Sequence, residues 1–305
     1  MAMTIGDFVD ECVKRLDMLY SLQESKSLAI NLLQNIEGLS SYAHLVEPDT
    51  VLKEDQKLIG ALNKLATGCP IQYVLGFEWF KGHKFFVSSN VLIPRPETEE
   101  LVNLVIKECN EISDIYSKDI PLQILDVCTG SGCIAHSLAY EFRDTAKIYG
   151  CDISNEALEI ANNEDIYLDI FPLQNENNIK PCFFRCDILD KTAGNIIVAN
   201  TKVKLNIIVS NPPYVCEAEQ SLMHINVLDF EPNIALFVSN DNPLLFYKRI
   251  AALGVELLMP GGKLFFEINE RFGKETVEML ENLGYSHCAV IQDINGKDRI
   301  VKGTF

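Results

Sequence analysis

The first 68 residues carry apolar side chains at three- and four-residue spacing, the period of a helix that buries one face. Three such stripes occur: Phe8, Cys12, Val13, Leu16 and Leu19; Leu28, Leu32, Leu33 and Ile36; and Leu58, Ile59, Leu62 and Leu65. Polar residues occupy most of the positions between them. The pattern therefore predicts a small helical domain over residues 1–70.

The pattern changes over residues 71–93, IQYVLGFEWFKGHKFFVSSNVLI, where aromatic and β-branched residues dominate. Around Gly76 and Gly82 this segment predicts a short β-hairpin, which we interpret as a linker. The motif IPRPETEELV follows. Its prolines favour extended backbone, and its acidic residues suit the first turn of a helix. We place the junction with a second domain, residues 94–305, near Ile93.

From residue 121 onward, apolar strands alternate with helices, which indicates a doubly wound, mainly parallel sheet. Strands are predicted at 122–127, 147–152, 182–186, 205–210 and 262–268, and helices at about 132–142 and 154–162. The runs HCAVIQD and DRIVKG flank Asn295–Gly296 and predict a closing antiparallel hairpin. Residues 163–181 and 188–204 are polar and irregular, so we expect surface insertions there.

Charge and cysteine content narrow the class of protein. The formal net charge is −17, whereas a duplex nucleic-acid binder normally carries a basic face, so stable nucleic-acid binding is not expected. Ten cysteines without a CxxC pair predict reduced, mostly structural thiols in a cytoplasmic protein, and no metal site. The acidic N-terminus does not resemble a signal peptide, and no stretch approaches about 18 consecutive apolar residues, so no membrane span is predicted.

A candidate cofactor loop lies in residues 124–135, ILDVCTGSGCIA, where a strand turns into a helix. Ligands of open α/β sheets bind beyond the carboxyl ends of the strands. Gly130 and Gly132 would let the backbone pass close to such a ligand. The loop has neither GxGxxG nor a Walker lysine, so a phosphate site is not indicated. An adenosyl ligand without phosphates fits better, and S-adenosylmethionine is the expected cofactor.

Two acidic residues end the following strands. Asp152 lies where a carboxylate can accept hydrogen bonds from ribose hydroxyls, and Ser154 is the better candidate for the helix N-cap. Asp187 ends the third strand and could accept from an adenine amino group or cap the next turn. Both interpretations of Asp187 stay open at this point.

The motif NPPY, Asn211 to Tyr214, ends the fourth strand. The Asn211 side-chain carbonyl and the Pro212 backbone carbonyl can accept the two N–H groups of a planar nitrogen, orient it and stabilise the positive charge that develops on it. Pro212 and Pro213 bias the backbone toward this arrangement. Tyr214 offers a ring face to the planar group. The motif predicts in-line displacement at a sulfonium methyl, without a metal or a covalent enzyme intermediate.

NPPY occurs together with QYVLG (72–76), VLIPRPETEELV (91–102) and NVLDFEPNIALF (226–237). This combination resembles the protein-(glutamine-N5) methyltransferases of class-1 peptide chain release factors over nearly the whole chain. The resemblance implies an α/β class I S-adenosylmethionine-dependent methyltransferase fold, with a seven-stranded sheet and a C-terminal antiparallel hairpin beside the helical domain. It also implies methylation of the Gln in a Gly-Gly-Gln motif, with the N-terminal domain helping to hold the release factor.

The predicted site residues follow from the strand ends and from this resemblance. The predicted cofactor residues are Asp126, Cys128, Thr129, Gly130, Ser131, Gly132, Asp152, Asp187, Ile188 and Asn211. The glutamine would be held by Asn211, Pro212, Pro213 and Tyr214. The predicted catalytic residues are Asn211, Pro212 and Tyr214. The segment Arg95–Glu99 would lie over the cofactor. Two positions depart from the family's pattern: Cys128 replaces the first glycine of the loop, and Asn269 replaces the glycine of an E-I-G sequence. We expect Cys128 to be tolerated because its side chain is small, and we expect its thiol to have no catalytic role.

Three alternatives remain beside release-factor methylation. A glutamine methyltransferase of ribosomal protein L3 shares NPPY but usually differs at RPETE. An adenine-N6 methyltransferase of DNA or RNA is disfavoured by the acidic charge. A cofactor-binding regulator without catalysis is disfavoured by the intact NPPY. A monomer is expected.

Overall fold

The computed structural model describes residues 2–111, 116–117, 119–163 and 180–305. The chain divides into two compact units, Met1–Phe77 with His224–Phe230, and Glu78–Met223 with Glu231–Phe305. This division reflects packing and says nothing about what each part binds. The limits 1–70, 71–93 and 94–305 therefore stay predictions.

The strands of the central sheet and the helices expected at about 132–142 and 154–162 follow the order that the sequence pattern predicts. The helices are α1 (Ile5–Leu16), α2 (Leu22–Leu32), α3 (Ala43–Val46), α4 (Asp55–Leu65), α5 (Ile71–Leu75), α6 (Pro96–Asn110), α7 (Cys133–Phe142), α8 (Asn155–Ala161), α9 (Ala193–Thr201), α10 (Ile225–Phe230), α11 (Asn233–Leu236), α12 (Leu245–Leu257) and α13 (Gly273–Asn282). The strands are β1 (Phe77–Phe80), β2 (His83–Phe86), β3 (Leu122–Val127), β4 (Ala146–Asp152), β5 (Cys182–Arg185), β6 (Leu205–Ser210), β7 (Val215–Cys216), β8 (Phe237–Val238), β9 (Leu258–Glu267), β10 (Ser286–Gln292) and β11 (Asp298–Thr304).

The first unit is helical, as predicted. Its core is formed by the apolar stripes of α1, α2 and α4, and includes the fully buried Phe8, Leu32 and Leu62. Thr4 and Ser21 begin α1 and α2 with capping boxes, in which each hydroxyl accepts a backbone N–H from the third helical residue. Local capping and a one-sided apolar stripe together explain why these short helices form.

The second unit is built on a seven-stranded sheet in the order β10-β11-β9-β6-β3-β4-β5. The strands from β9 to β5 are parallel to one another, whereas β11 runs antiparallel to β9 and β10 antiparallel to β11. Helices cover both faces, which buries all six residues of β6. The predicted parallel sheet and the closing hairpin are both confirmed.

The segment 71–93 is partly helical. Its hairpin comprises β1 and β2, with Lys81 and Gly82 in the turn at positive φ. Phe80 and Phe85 are buried in the core of the second unit, whereas Ile71–Leu75 form α5 and end at Gly76 in the left-handed conformation.

The expectation of an irregular insertion at 188–204 is wrong, because this segment contains α9. Ala193, Ile197 and Thr201 recur at four-residue spacing and are buried against the sheet, and Lys202 ends the helix in the left-handed conformation. The low helix propensity of Gly194, Asn195 and Asn200 obscures this helix in the sequence. Most of the other expected insertion, residues 164–179, lies outside the described residues. In the described part of the chain, no helix combines the length and apolar character that a membrane span requires.

Candidate functional site

A cleft of about 240 Å³ opens in the second unit where β3, β4, β5 and β6 end. Nine of the predicted site residues line it: Cys128, Thr129, Gly130, Ser131, Asp152, Asp187, Ile188, Asn211 and Pro213. Asp126, Gly132, Pro212 and Tyr214 are not among the lining residues. The structure thus brings the three acidic or glycine-rich strand ends and the start of NPPY to one place.

The loop between β3 and α7 depends on left-handed backbone. Gly130 has φ +54° and Gly132 has φ +78°, a conformation that glycine adopts without steric cost. A Cβ on Gly132 would also lie 2.9 Å from Cδ2 of His136 and 3.1 Å from Cζ of Phe183. Gly132 therefore acts behind the cleft, where it lets the loop pack closely against its own helix.

Cys128 also has a positive φ, of +61°. Glycine is favoured at this position for its backbone conformation, so the size argument made from the sequence is incomplete. Burial raises the pKa of the Cys128 thiol well above 9, with Asp152 and Asp126 contributing. The thiol is therefore protonated at neutral pH, which is the state expected of a packing residue.

The Asp152 carboxylate is fixed by two backbone donors. Its Oδ2 accepts the Gly130 N–H at 2.9 Å and its Oδ1 accepts the Ser154 N–H at 3.0 Å. Burial raises the pKa of Asp152, and these N–H groups oppose the rise. Ser154 caps α8 as predicted, because its hydroxyl accepts the Ala157 N–H. Asp152 thus presents a rigid acceptor at the cleft wall.

Asp187 takes the first of its two predicted roles, the turn cap, and lies where the second would require it. Its Oδ1 accepts the Leu189 N–H at 2.9 Å, which is the turn cap, and the residue still lines the cleft. A hydrogen bond to an adenine amino group stays a prediction.

Asp126 lies beneath the loop and is fully buried. Its Oδ2 accepts the Thr129 hydroxyl at 2.5 Å, while Oδ1 has no hydrogen bond among the described residues. Burial raises the pKa of Asp126 to about 7, against the lowering effect of Thr129 and of the Ala135 N–H. The carboxyl group therefore supports the loop from below and titrates near neutrality.

Asn211 follows β6 and is held from one side. Its Nδ2 donates to Oγ1 of Thr98 at 3.1 Å. Thr98 in turn donates to Oε2 of Glu267 at 2.6 Å, and the Tyr214 hydroxyl donates to Oε1 of the same carboxylate at 3.1 Å. Neither Glu267 nor an individual role for Thr98 is predicted from the sequence. The available signals were an acid at the carboxyl end of a predicted strand and a threonine inside RPETE.

The segment preceding α6 forms another wall of the cleft. Arg95 donates through Nη2 to Oε1 of Glu231 at 2.6 Å, and the Ile93 N–H donates to Oε2 of Glu231 at 3.2 Å. Glu231 is only 4% exposed, so both of its oxygens are used in a site with little water. This pairing connects RPETE with Glu231, in the segment NVLDFEPNIALF that follows NPPY. Asn90, Val91 and Pro94, which flank Ile93 and Arg95, line the cleft.

The lining is chemically uneven. Among the described residues that line it, two are acidic, Asp152 and Asp187, one is basic, Arg95, and many are apolar. Such a wall suits an uncharged or cationic nucleoside better than a phosphate ester. In the described ranges, no group of three His, Cys, Asp or Glu side chains is arranged to hold a metal ion.

The chain is similar in sequence to known methyltransferases. A methyltransferase domain family matches residues 119–219. The release factor glutamine methyltransferase of Bacteroides thetaiotaomicron is 41% identical over 287 residues, covering 93% of this chain and 94% of its own. The enzyme of the same name from Flavobacterium psychrophilum is 38% identical over 305 residues, covering 99% and 100%. Among solved structures, the release-factor-specific protein-(glutamine-N5) methyltransferase of Alicyclobacillus acidocaldarius aligns with 72% of this chain and 98% of its own, at 23% identity and a TM-score of 0.37.

Proposed function

The chain belongs to the release factor glutamine methyltransferase family, and from that premise we propose that it methylates release factors on glutamine. The proposed reaction transfers a methyl group from S-adenosylmethionine to the side-chain N5 of the Gln in the Gly-Gly-Gln motif of class-1 peptide chain release factors. The observation that carries the proposal is the Asn211 amide, which is held by Thr98 and lines the same cleft as the Asp152 carboxylate.

The cofactor side of the cleft suits an adenosyl group. Asp152 would accept from the ribose hydroxyls, because its two backbone donors leave acceptor capacity on both oxygens. Asp187 and Ile188 would contact the adenine, and the loop from Cys128 to Gly132 would approach the remainder of the cofactor. The bound cofactor would supply an electrophilic sulfonium methyl. Neither a metal nor a covalent enzyme intermediate enters this scheme.

The substrate side would act by orientation. A carboxamide nitrogen is a weak nucleophile because its lone pair is delocalised into the carbonyl. Asn211 Oδ1 and the Pro212 carbonyl would accept its two N–H groups, fix its direction and stabilise its developing positive charge. Pro213 would hold the backbone that presents these acceptors, and Tyr214 would pack on the planar amide. The helical domain, residues 1–70, would help to hold the release factor.

The test uses purified protein, radiolabelled S-adenosylmethionine and a class-1 release factor. The native Gly-Gly-Gln factor should be labelled, and the same factor with Gln→Ala should not be. Asn211→Ala should reduce labelling by about 10²- to 10³-fold, the usual effect of losing one preorganised polar contact to the transition state. Equal labelling of both factors would refute the proposal.

The same assay separates the alternatives. Ribosomal protein L3 should remain unlabelled, and labelling of L3 alone would transfer the proposal to that substrate. Labelled DNA or RNA, or binding to nucleic acid that weakens with salt, would support the adenine-N6 alternative. We propose that the protein acts as a monomer in the cytoplasm, where release factors work, without stable nucleic-acid binding. Sedimentation at several concentrations tests the oligomeric state.

A further inference from the structure

The Asn211 side chain has two ends that are similar in shape and opposite in function. Only Oδ1 can accept an N–H, whereas Nδ2 can only donate. A flipped amide would present N–H groups toward the N–H groups of a substrate carboxamide and would repel it. The proposed reaction therefore needs one of the two amide orientations, and the neighbouring residues must select it.

Thr98 supplies one part of that selection. It is 3% exposed, and its single O–H donates to Glu267 Oε2 at 2.6 Å. The oxygen of the same hydroxyl can then serve Asn211 only as an acceptor. The amide end that faces Thr98 must be Nδ2, which lies 3.1 Å from Oγ1. Oδ1 is consequently the end that is turned away from Thr98.

Glu267 determines the direction of this chain of hydrogen bonds. It is 1% exposed and accepts from Thr98 at one oxygen and from the Tyr214 hydroxyl at the other. A carboxylate only accepts, so both hydroxyls must point toward it. Burial raises the pKa of Glu267, and the hydroxyls of Thr98 and Tyr214 oppose the rise. Its two contacts therefore orient both ends of NPPY.

Strand register explains how these residues meet. Ser210 of β6 lies opposite Phe266 of β9, so the next residues, Asn211 and Glu267, leave adjacent parallel strands side by side. Helix α6 packs on the same sheet through Leu101 and Val102, which places Thr98 in its first turn above them. All three positions belong to buried, regular elements or their immediate ends.

We propose that Thr98 and Glu267 are positioning residues, which hold the Asn211 amide with Oδ1 toward the substrate and hold the Tyr214 ring beside it. This inference rests on the proposed function and assigns a role to the threonine of RPETE. Both residues act through Asn211 and Tyr214. Their removal should therefore slow methyl transfer without an equal loss of cofactor binding.

The test compares Thr98→Val, which keeps the shape and removes the hydroxyl, with Thr98→Ser, which keeps the hydroxyl. Thr98→Val should lower kcat for release-factor methylation by about 10- to 100-fold, less than the loss of a direct transition-state contact. The Kd of S-adenosylmethionine, measured by calorimetry, should change much less than kcat, and Thr98→Ser should restore most of kcat. Glu267→Gln should resemble Thr98→Val. A glutamine amide can donate to Thr98, and the Thr98 hydroxyl can then donate to Oδ1 of a flipped Asn211 amide.

Thr276→Val is the matched control. Thr276 is also fully buried, and its hydroxyl donates at 2.7 Å to the Phe272 carbonyl, outside the cleft. This variant should lose stability and keep kcat. The proposal is overturned if Thr98→Val keeps wild-type kcat, if Thr98→Ser is as slow as Thr98→Val, or if Thr276→Val is equally slow.

A second measurement judges the proposal independently of the substrate. The side-chain amide of Asn211, labelled with ¹⁵N and assigned by its absence from Asn211→Ala, is observed by NMR. One Nδ2 proton should exchange slowly with water in the wild type and in Thr98→Ser, and rapidly in Thr98→Val. If the wild type labels no release factor, the proposed function fails, and this exchange pattern still supports or overturns the positioning role.

Discussion

Replacing Asp126 by Asn should make stability less sensitive to pH. Asp126 is fully buried under the cofactor loop, and burial raises its pKa from 3.8 to about 7. Between these values the unfolded chain releases its proton while the folded protein keeps it. The unfolded state then binds fewer protons than the folded state, so wild-type stability falls as pH rises through this window and levels off above about pH 7. Asn is uncharged throughout and removes this contribution.

The magnitude follows from the shift of about three pKa units at about 1.4 kcal/mol per unit, or about 4 kcal/mol in total. The shift extends from pKa 3.8 to about 7, so about two of the three units lie within the range from pH 5 to pH 8. The stability gained by Asp126→Asn should therefore grow by about 2–3 kcal/mol over that range. The Thr129 hydroxyl can still donate to the Asn carbonyl, so the substitution keeps one native hydrogen bond.

The assay is urea unfolding of cofactor-free protein, followed by circular dichroism at pH 5, 6, 7 and 8. Asp241→Asn removes an exposed carboxylate from the same unit and should follow the wild-type profile. A gain for Asp126→Asn that is the same at pH 5 and pH 8 would refute the reasoning, since no proton would then be retained on folding. A loss that grows with pH would show that the buried carboxylate is stabilised by its charge.

Three further predictions concern the loop and its support. Gly150→Ala should lower the free energy of unfolding by about 1–3 kcal/mol in the same urea assay, because the new Cβ would lie 2.5 Å from the Phe183 ring. Gly60 lies in a helix with open space around it, so Gly60→Ala should stabilise the protein. Cys128→Gly should keep methyl transfer and change the free energy of unfolding by less than about 1 kcal/mol, because relief of the left-handed strain offsets the lost packing and the greater conformational entropy of the unfolded chain. Loss of methyl transfer in a folded variant would contradict this account. Asp152→Asn should weaken binding of S-adenosylmethionine by at least about tenfold in calorimetry, because the amide can accept only one of the two backbone N–H groups and turns its own N–H toward the other. Unchanged affinity would show that Asp152 does not belong to the cofactor site.

Much of the fold could be predicted because its signals are local. The strand runs of β3 to β6 are apolar because helices cover both faces of a parallel sheet, and Asn295–Gly296 marks the hairpin turn by its own conformational preference. Helix α9 escaped prediction because Gly194, Asn195 and Asn200 have low helix propensity, and only the burial of Ala193 and Ile197 makes its packed face evident.

The candidate site was predictable to the same extent. Asp152 ends an apolar strand and Asn211 directly follows another. Parallel strands end at one edge of a sheet, so the convergence of these residues on one cleft follows from sequence order. Their exact supports do not follow. Asp126 and Asp152 have the same side chain and lie at the carboxyl ends of adjacent strands, yet one lies under the loop and the other lines the cleft.

The sequence by itself determined the alternation of strands and helices, the left-handed positions that glycine marks, and the NPPY residues that present hydrogen-bond acceptors. Each of these depends on neighbours within a few positions along the chain. Only the tertiary structure decided which side chains orient those acceptors. Thr98 lies 113 positions before Asn211 and 169 before Glu267. The three residues meet because strand register and helix packing bring separate elements together, and a hydrogen bond needs its partners within about 3 Å.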